Sequence, residues 1–277
     1  MKSVVLVFIL AFVSLSSAKA TANDNIFNVG KWYLGVSLGG GQMQSPLHEQ
    51  SDIPLSIVPD IRYYGERITI ENLDVSFAIF EKKGFALELI GEQNQDGVYF
   101  PGNFRKEYGA LIGPFNGSTL NLSQHQEELL ETPGPRSMSY MSGIELRYYN
   151  WINAFVSWTK DISDVHNGES IRIDLQKTFS IGKVFISVNL KTTFKDEKLV
   201  HYYYGFDQRD TLILQKYYAG SATTNQMLQA NVAYPLTEEL AIVAAYSRTW
   251  LGDSIKNSPV VTDGQIDSSF FGVKYVF

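Results

Sequence analysis

Several ionisable residues of this chain stand two positions apart, the spacing that places two side chains on the same face of a β-strand. Asp60 and Arg62 form one such pair, and Glu145 and Arg147 form another. The members of each pair carry opposite charges, so they could neutralise each other in an interior or present a charged surface to a solute. The candidate inward-facing charges are Asp60, Arg62, Glu88, Glu145, Arg147, Arg172, Asp174, Lys191 and Lys274.

Charges of both signs that face a narrow interior are open to two interpretations. An unpaired buried charge is costly, so the charges could pair across the interior and form a salt-bridged plug that makes the fold rigid. They could instead line a constriction that selects small solutes. The residue pattern favours the plug and keeps the constriction as the alternative.

The histidine, serine and carboxylate residues show no recognisable catalytic set. The chain has no cysteine, and none of its histidines has a strand-borne serine beside it, as a lipase would need. Asp161 and Asp164 near His166 come closest to the paired carboxylates of a protease, and they keep a hydrolase open as a third hypothesis. No two histidines have the spacing of metal ligands among His48, His125, His166 and His201. We therefore predict no catalytic residue, no metal site and no cofactor.

The elements that must position these residues are β-strands. Apolar and polar residues alternate through most of the chain after residue 31, as where Ile171 and Ile173 flank Arg172. After residue 20 no apolar run is long enough for a membrane-spanning helix, so a membrane protein with this pattern must be a closed barrel. We predict an all-β fold, a transmembrane antiparallel up-and-down barrel of about 12 strands, from Trp32 to Phe277.

The chain ends on an aromatic residue at the end of an alternating strand. The apolar face of this strand consists of Phe271, Val273, Tyr275 and Phe277. Such a strand is the signal that the outer-membrane assembly machinery reads. We predict that this face is that signal, so the assembly machinery and outer-membrane lipid are expected partners.

The links between strands alternate in length along the chain. Short links at 65, 82–84, 149–150, 180–182 and 235–238 alternate with longer segments at 43–55, 91–136, 161–168, 195–223 and 252–265. Outer-membrane barrels have short periplasmic turns and longer external loops, so the long segments are predicted to lie outside the cell. Residues 120–131 of the longest loop predict one short helix.

Two local features predict departures from a regular strand. Pro59 cannot donate to a hydrogen-bond ladder, so we expect a bulge or break in the second strand. Gly39-Gly40-Gly41 is expected to end the first strand and, with no following helix, is not a phosphate-binding motif. The consecutive tyrosines 202–204 are expected to anchor a strand end at the lipid headgroups, or to form a contact surface for a partner or a glycan.

The N-terminal residues differ in composition from the rest. Lys2 precedes an apolar run at 4–15, and a small-residue stretch ends in Ala18-Lys19-Ala20. This pattern predicts a secretory signal peptide at 1–20, cleaved after Ala20, which leaves 21–277 as the barrel domain of a bacterial outer membrane. The net charge is −6, and removal of the leader makes the chain more acidic, which argues against nucleic-acid binding.

Four short stretches, spread over most of the mature chain, carry a family resemblance. They are Pro59 to Tyr63 in the pattern P-x-I-x-Y, residues 203–206 followed by 217–220, residues 246–248 with 251–253, and residues 257–261. The last is similar to a D-S-P-I-V motif, with Asn257 where an acidic residue is usual. Together they resemble the MipA/OmpV family of outer-membrane proteins.

The resemblance implies an outer-membrane barrel without catalytic activity and with a scaffold or envelope-interaction role. One member of this family is described as bridging a murein hydrolase and a murein synthase. On this basis the expected partners include those murein enzymes, and no family catalytic residue carries over to this chain. A small-solute channel remains the alternative function.

Overall fold

The computed structural model describes residues 29–48, 50–100, 134–210 and 217–277, and within them the chain forms a closed antiparallel β-barrel. From β3 to β13 each strand pairs with the next in the chain, β1 pairs with β3, and β13 pairs with β1 to close the wall. The strands are β1 (Lys31–Met43), β2 (Ile53–Pro54), β3 (Ile57–Tyr64), β4 (Ile68–Glu71), β5 (Asp74–Lys82), β6 (Phe85–Gln93), β7 (Tyr140–Tyr148), β8 (Asn153–Asp161), β9 (Glu169–Ile181), β10 (Val184–Lys195), β11 (Thr223–Pro235), β12 (Leu240–Trp250) and β13 (Gln265–Val276).

The two-residue strand β2 pairs only with the end of β1, so the wall has 12 strands in the described ranges, as predicted. Helices occur only in the connections of this described part: a 3-10 helix at Gln95–Tyr99, α1 at Glu197–Tyr204 and the one-turn α2 at Asp253–Lys256. None of them is long and apolar enough to cross a membrane.

Side chains alternate between the two faces of the wall, as the pleat of a strand requires. On β1, Leu34 and Leu38 face outward and are about half exposed, whereas the intervening Ser37 is buried. Aromatic residues cluster on the outer face near the strand ends, where Trp32 lies 5.0 Å from Tyr63 between ring centroids. An apolar outer band with aromatic residues at its edges is the surface of a barrel that lies in lipid.

The two ends of the barrel carry connections of different length, which confirms the predicted alternation. The short-turn end consists of residues 65–67, 83–84, 149–152, 182–183 and 236–239. At the long-loop end the described residues of the connections are 44–48, 50–56, 94–100, 134–139, 162–168, 196–210, 217–222 and 251–264. The two-residue turn 72–73 is an exception at the long-loop end, and Asn72 adopts a left-handed φ of 61° there.

The expected break at Pro59 was wrong. Strand β3 pairs with β1 without interruption, and Val36 stands opposite Pro59. The backbone N–H of Ile61 donates to the side chain of Asn72, and the backbone oxygen of Ile61 accepts from the N–H of Asn72. The backbone nitrogen of Pro59, two residues earlier, points to the same side of the strand, where β4 has already ended. No ladder bond is therefore lost at the proline. The irregularity lies in β5 instead, where the register shifts between Ala78 and Phe80.

The expectation that the glycine triplet ends the first strand was also wrong. Strand β1 continues through it to Met43, and Gly39 stands opposite Gly272 of β13. A Cβ on Gly39 would lie 2.1 Å from the backbone oxygen of Phe271. The ring of Phe270 approaches within 2.9 Å of the same position. The triplet therefore lets the first and last strands approach closely at the seam of the barrel.

The connections of the long-loop end fold into the mouth of the barrel and bury a hydrophobic cluster there. Helix α1 contributes Leu199, Val200, Tyr203 and Tyr204, which are almost completely buried. Other members come from the remaining loops and from strand ends, among them Leu47, Phe100, Phe206, Ile255, Val260 and Phe270. We call this cluster the loop cap. The expected anchoring of Tyr203 and Tyr204 at lipid headgroups was therefore wrong.

Candidate functional site in the barrel interior

The first group of interior charges joins strands β3 and β13 across β1. Arg62 Nε donates to Asp60 Oδ1 at 2.6 Å, and Lys274 Nζ donates to Asp60 Oδ2. Gly35 of β1 stands opposite Asp60, between the two strands that carry these charges. All three charged residues are less than 9% exposed. The group therefore ties the first and last parts of the wall together.

The second group joins β6, β7 and β9 through two arginines. Arg147 lies 2.6 Å from Glu145 and 3.3 Å from Glu88 between ionised atoms. Arg172 donates to Glu145 at 3.0 Å and to Glu92 at 2.5 Å. The planar guanidinium forks suit carboxylates on two sides, so the charges alternate in sign around this part of the wall.

The structure thus brings most of the predicted lumen residues into two ion-pair groups. Asp174 belongs to the second group, with Oδ2 3.4 Å from Arg172 Nε. Lys191 of β10 joins neither group, and in the described part of the chain it has no ion pair. Sequence reasoning missed Glu92, which is the penultimate residue of β6. The alternation of apolar and polar residues is weak there, just before a long loop.

Above these groups, the loop cap contains its own buried polar contacts. Asp96 of the 3-10 helix accepts hydrogen bonds from Lys195 at 2.6 Å and from the hydroxyl of Tyr204 at 2.8 Å. Burial next to Asp96 raises the pKa of Tyr204 well above its ordinary value, so this hydroxyl stays protonated as a donor. These bonds connect two different loops to the long-loop end of β10.

Arg136 is a fully buried charge of the cap, at 1% exposure. Its guanidinium donates to both carboxylate oxygens of Asp210 at 2.9 and 2.8 Å. It also donates to the backbone oxygens of Tyr202 and Gly205. A single side chain therefore holds the segment before β7 against the end of α1. No sequence motif pointed to it, because its partners lie more than 60 positions away.

A cavity of about 260 Å³ lies between the ion-pair groups and the loop cap. It shares Arg62 and Arg172 with the ion-pair groups, and Leu199, Leu251 and Ile266 with the cap. The rest of its wall is mostly polar, with amide, hydroxyl and carboxylate side chains. The barrel therefore encloses a hydrophilic chamber beneath an apolar cover.

A serine lies beside one histidine, just before β7 rather than on a strand. Ser139 Oγ lies 2.9 Å from His166 Nε2, and Asp161 Oδ2 lies 3.9 Å from His166 Nδ1. The hydrogen bonds oppose a catalytic role, since the backbone N–H of Gly168 donates to Nδ1 at 2.9 Å. The ring proton is then on Nε2 and is donated to the serine, so the imidazole is oriented to hold Ser139 rather than to deprotonate it.

Asp161 has a structural task in the same loop. Its carboxylate accepts from the backbone N–H groups of Ser163, Val165, His166 and Asn167 at 2.7 to 2.9 Å. Asp164 stands apart and accepts from the side chain of Asn167. The two aspartates thus fix a turn and do not form a carboxylate pair.

In the described residues no group of three or more histidine, cysteine or acidic residues could hold a metal ion. The cleavage position at Ala20, His125 and the helix expected at 120–131 lie outside the described ranges. Phe271, Val273 and Tyr275 face outward from β13, and Phe277 is 79% exposed.

Comparisons with known proteins place the fold and the sequence in context. A family model described as MltA-interacting protein MipA matches residues 35–277. The outer membrane protein Omp26La of Vibrio anguillarum is 18% identical over 254 residues, which cover 91% of this chain and 90% of that protein.

Two solved outer-membrane structures are similar over most of the chain. A loop-deletion mutant of OmpT, an outer membrane protein of Vibrio cholerae, has a TM-score of 0.36 and 10% identity, covering 90% of this chain and 100% of that chain. An anion-selective porin from Comamonas acidovorans has a TM-score of 0.36 and 9% identity, covering 89% of this chain and 99% of that chain. The family of this chain is indicated by the family model, which matches most of the chain, and not by these structures.

Proposed function

This chain belongs to the MipA family of MltA-interacting proteins and is an outer-membrane β-barrel, and from that premise we propose that it acts as a non-enzymatic scaffold. In this role the barrel holds envelope proteins, including a murein hydrolase and a murein synthase, at the inner surface of the outer membrane. The observation that carries the proposal is the loop cap, which covers one mouth of the barrel with buried apolar side chains. A covered mouth favours a binding role over a transport role.

The scaffold proposal is tested by site-specific crosslinking in cells. A photo-reactive residue at Lys183, in an exposed short turn, should capture murein enzymes because short turns face the periplasm in outer-membrane barrels. The matched control carries the same residue at Asp263, which is exposed at the long-loop end, and it should capture none. Equal capture at both positions, or no murein enzyme from mild-detergent pull-downs of the full chain, would contradict the proposal.

A small-solute channel is the second candidate, and the polar cavity is the observation that favours it. Planar-bilayer recording of the purified barrel separates the two functions. The scaffold proposal expects no steady conductance, because the loop cap and the ion-pair groups occupy the path through the lumen. A stable open level in the wild-type protein would support the channel and count against a closed scaffold.

The hydrolase hypothesis receives no support from the arrangement around His166. Nδ1 of His166 accepts a hydrogen bond, so the ring proton lies on Nε2 and that nitrogen cannot take a proton from Ser139. We expect His166→Ala to leave protease and lipase assays of the purified protein at the background level of the wild type. A wild-type activity that this substitution removes would restore the hydrolase.

A further inference from the structure

Most charged side chains on the wall of the interior cavity are bound by another side chain, and one of each sign is not. Arg62 is bound to Asp60, Glu92 to Arg172, and Asp96 to Lys195. Glu71 accepts a hydrogen bond from the hydroxyl of Tyr64 at 2.6 Å. Two charges remain in the described part of the wall, Asp74 and Lys191, and neither forms an ion pair or a hydrogen bond with another described side chain.

Asp74 and Lys191 stand on well-separated parts of the wall. Asp74 begins β5 and Lys191 lies in β10, so four strands, β6 to β9, separate them on the shorter way round. With 12 strands about 4.8 Å apart and tilted by about 40°, the wall is roughly 24 Å across between opposing backbones. After both side chains reach inward, a gap on the order of 15 Å remains for a ligand.

The wall between these two charges offers groups that suit peptide bonds. Amide side chains line it from several directions, and hydroxyl groups lie among them: Asn72, Gln93, Asn94, Asn225, Gln229, Thr159, Ser170 and Thr193. Amides and hydroxyls both donate and accept hydrogen bonds, so they can satisfy the N–H and C=O groups of an extended backbone. Aromatic residues are few here, with Tyr99 as the one lining aromatic ring in the described wall.

We propose that this cavity binds a short peptide with free termini. The ammonium group at its N-terminus lies against Asp74, and the carboxylate at its C-terminus lies against Lys191. An extended tripeptide is about 10 Å long, and a hydrogen bond of about 3 Å at each end completes the distance between the two side chains. The site goes beyond the scaffold role, because a closed barrel that holds partner proteins has no need of two unpaired opposite charges in its chamber.

The test uses the full mature chain, purified in detergent micelles, and triglycine as the probe in isothermal titration calorimetry. Three capped forms separate the contributions of the termini: N-acetyl-triglycine, triglycine amide, and the form capped at both ends. We expect saturable binding of triglycine, weakened about tenfold by a cap at either end, as for the loss of one charge-assisted hydrogen bond. Absence of saturable triglycine binding would overturn the proposal.

Matched variants test which side chain binds each terminus of the peptide. Lys191→Met should weaken triglycine binding about tenfold and remove the preference for triglycine over its amide, whereas Lys191→Arg should retain both. Asp74→Asn should remove the preference for the free ammonium over the N-acetyl form. Lys183→Met in a short turn and Asp263→Asn in an outer loop make the same chemical changes outside the cavity and should bind as the wild type does.

Folding of each variant is checked by its heat-modifiable mobility in electrophoresis, so a loss of binding is read only from closed barrels. Binding that ignores the caps, or that is unchanged in both Lys191→Met and Asp74→Asn, would overturn the assignment. The result is independent of murein-enzyme capture, so failure of the peptide site and failure of the scaffold proposal are distinguishable.

Discussion

Arg136 carries the buried charge that most directly holds the loop cap together. We expect Arg136→Met to keep most of the volume of the side chain but to leave the buried Asp210 without its cationic partner, which costs about 3–5 kcal/mol. The substitution should open the cap and leave the strands intact. Hydrogen exchange at the amide of Gly205, which is bonded to the backbone oxygen of His201, reports this local opening.

Arg209→Met is the control for this prediction. Arg209 binds Asp207 at 2.8 Å, but the two side chains are 38% and 26% exposed. A pair of this kind contributes about 0–1 kcal/mol, so exchange at Gly205 should change little. Equal protection of Gly205 in the wild type and in Arg136→Met would show that the buried pair does not hold the cap.

His166 is expected to make its loop sensitive to acid. Burial lowers the pKa of His166 below its ordinary value of about 6.5, against the opposing effect of Asp161. The closed loop therefore holds the neutral ring, and an opened loop binds a proton more readily. Stability of the closed loop is fully present above about pH 6.5 and is lost as pH falls through the lowered pKa.

Hydrogen exchange at Val165 and Asn167, whose amides donate to Asp161, measures this opening after correction for intrinsic rates. Opening should be more frequent at pH 5 than at pH 7.5. His166→Gln should remove most of this dependence, because glutamine does not titrate in that range. An opening frequency that does not change with pH in the wild type would contradict the predicted sign.

At the scale of elements, the seam between β1 and β13 depends on glycine. We expect Gly39→Ala to destabilise closure of the barrel by at least about 2 kcal/mol, because the new Cβ would meet backbone atoms of β13 that cannot move independently. Gly40→Ala is the matched control, since a Cβ there meets nothing within 4 Å. The folded fraction after refolding into micelles, measured by heat-modifiable mobility, should fall only in Gly39→Ala.

The strands were the most predictable elements, because one face of the wall meets lipid and the other meets polar groups. Because of that contrast, apolar and polar residues alternate along each strand. In β9, for example, Ile171 and Ile173 point outward and Arg172 between them points inward. The β5 bulge left no such mark, since Ile79 and Phe80 are both apolar and both exposed on the outer face. Two adjacent apolar residues looked like a continued strand.

The loop cap was not predictable, because its contacts join segments that are distant in the chain and lack periodicity. Tyr203 resembled an interfacial aromatic residue, yet its hydroxyl lies within the cap and donates to the backbone oxygen of Ser137. The interior charges were easier to identify since each sits on a regular strand. Their partners were not, because pairs such as Asp60 and Lys274 meet only once the barrel closes.

For the whole molecule, the last residue separates assembly in the cell from stability of the closed barrel. Phe277 is 79% exposed, and its backbone N–H donates to the backbone oxygen of Leu34, a bond that any residue at this position can make. We expect Phe277→Ala to leave refolding into micelles within about 0.5 kcal/mol of the wild type, as is usual for an exposed substitution. In cells, the same change should lower the amount in the outer membrane several-fold if the assembly machinery reads this residue.

Phe194→Ala, another outward-facing aromatic substitution far from the terminus, controls for general loss of lipid contact. Equal loss of outer-membrane protein in both variants would show that the terminal aromatic residue contributes only lipid contact, and the proposed signal at the end of β13 would be abandoned.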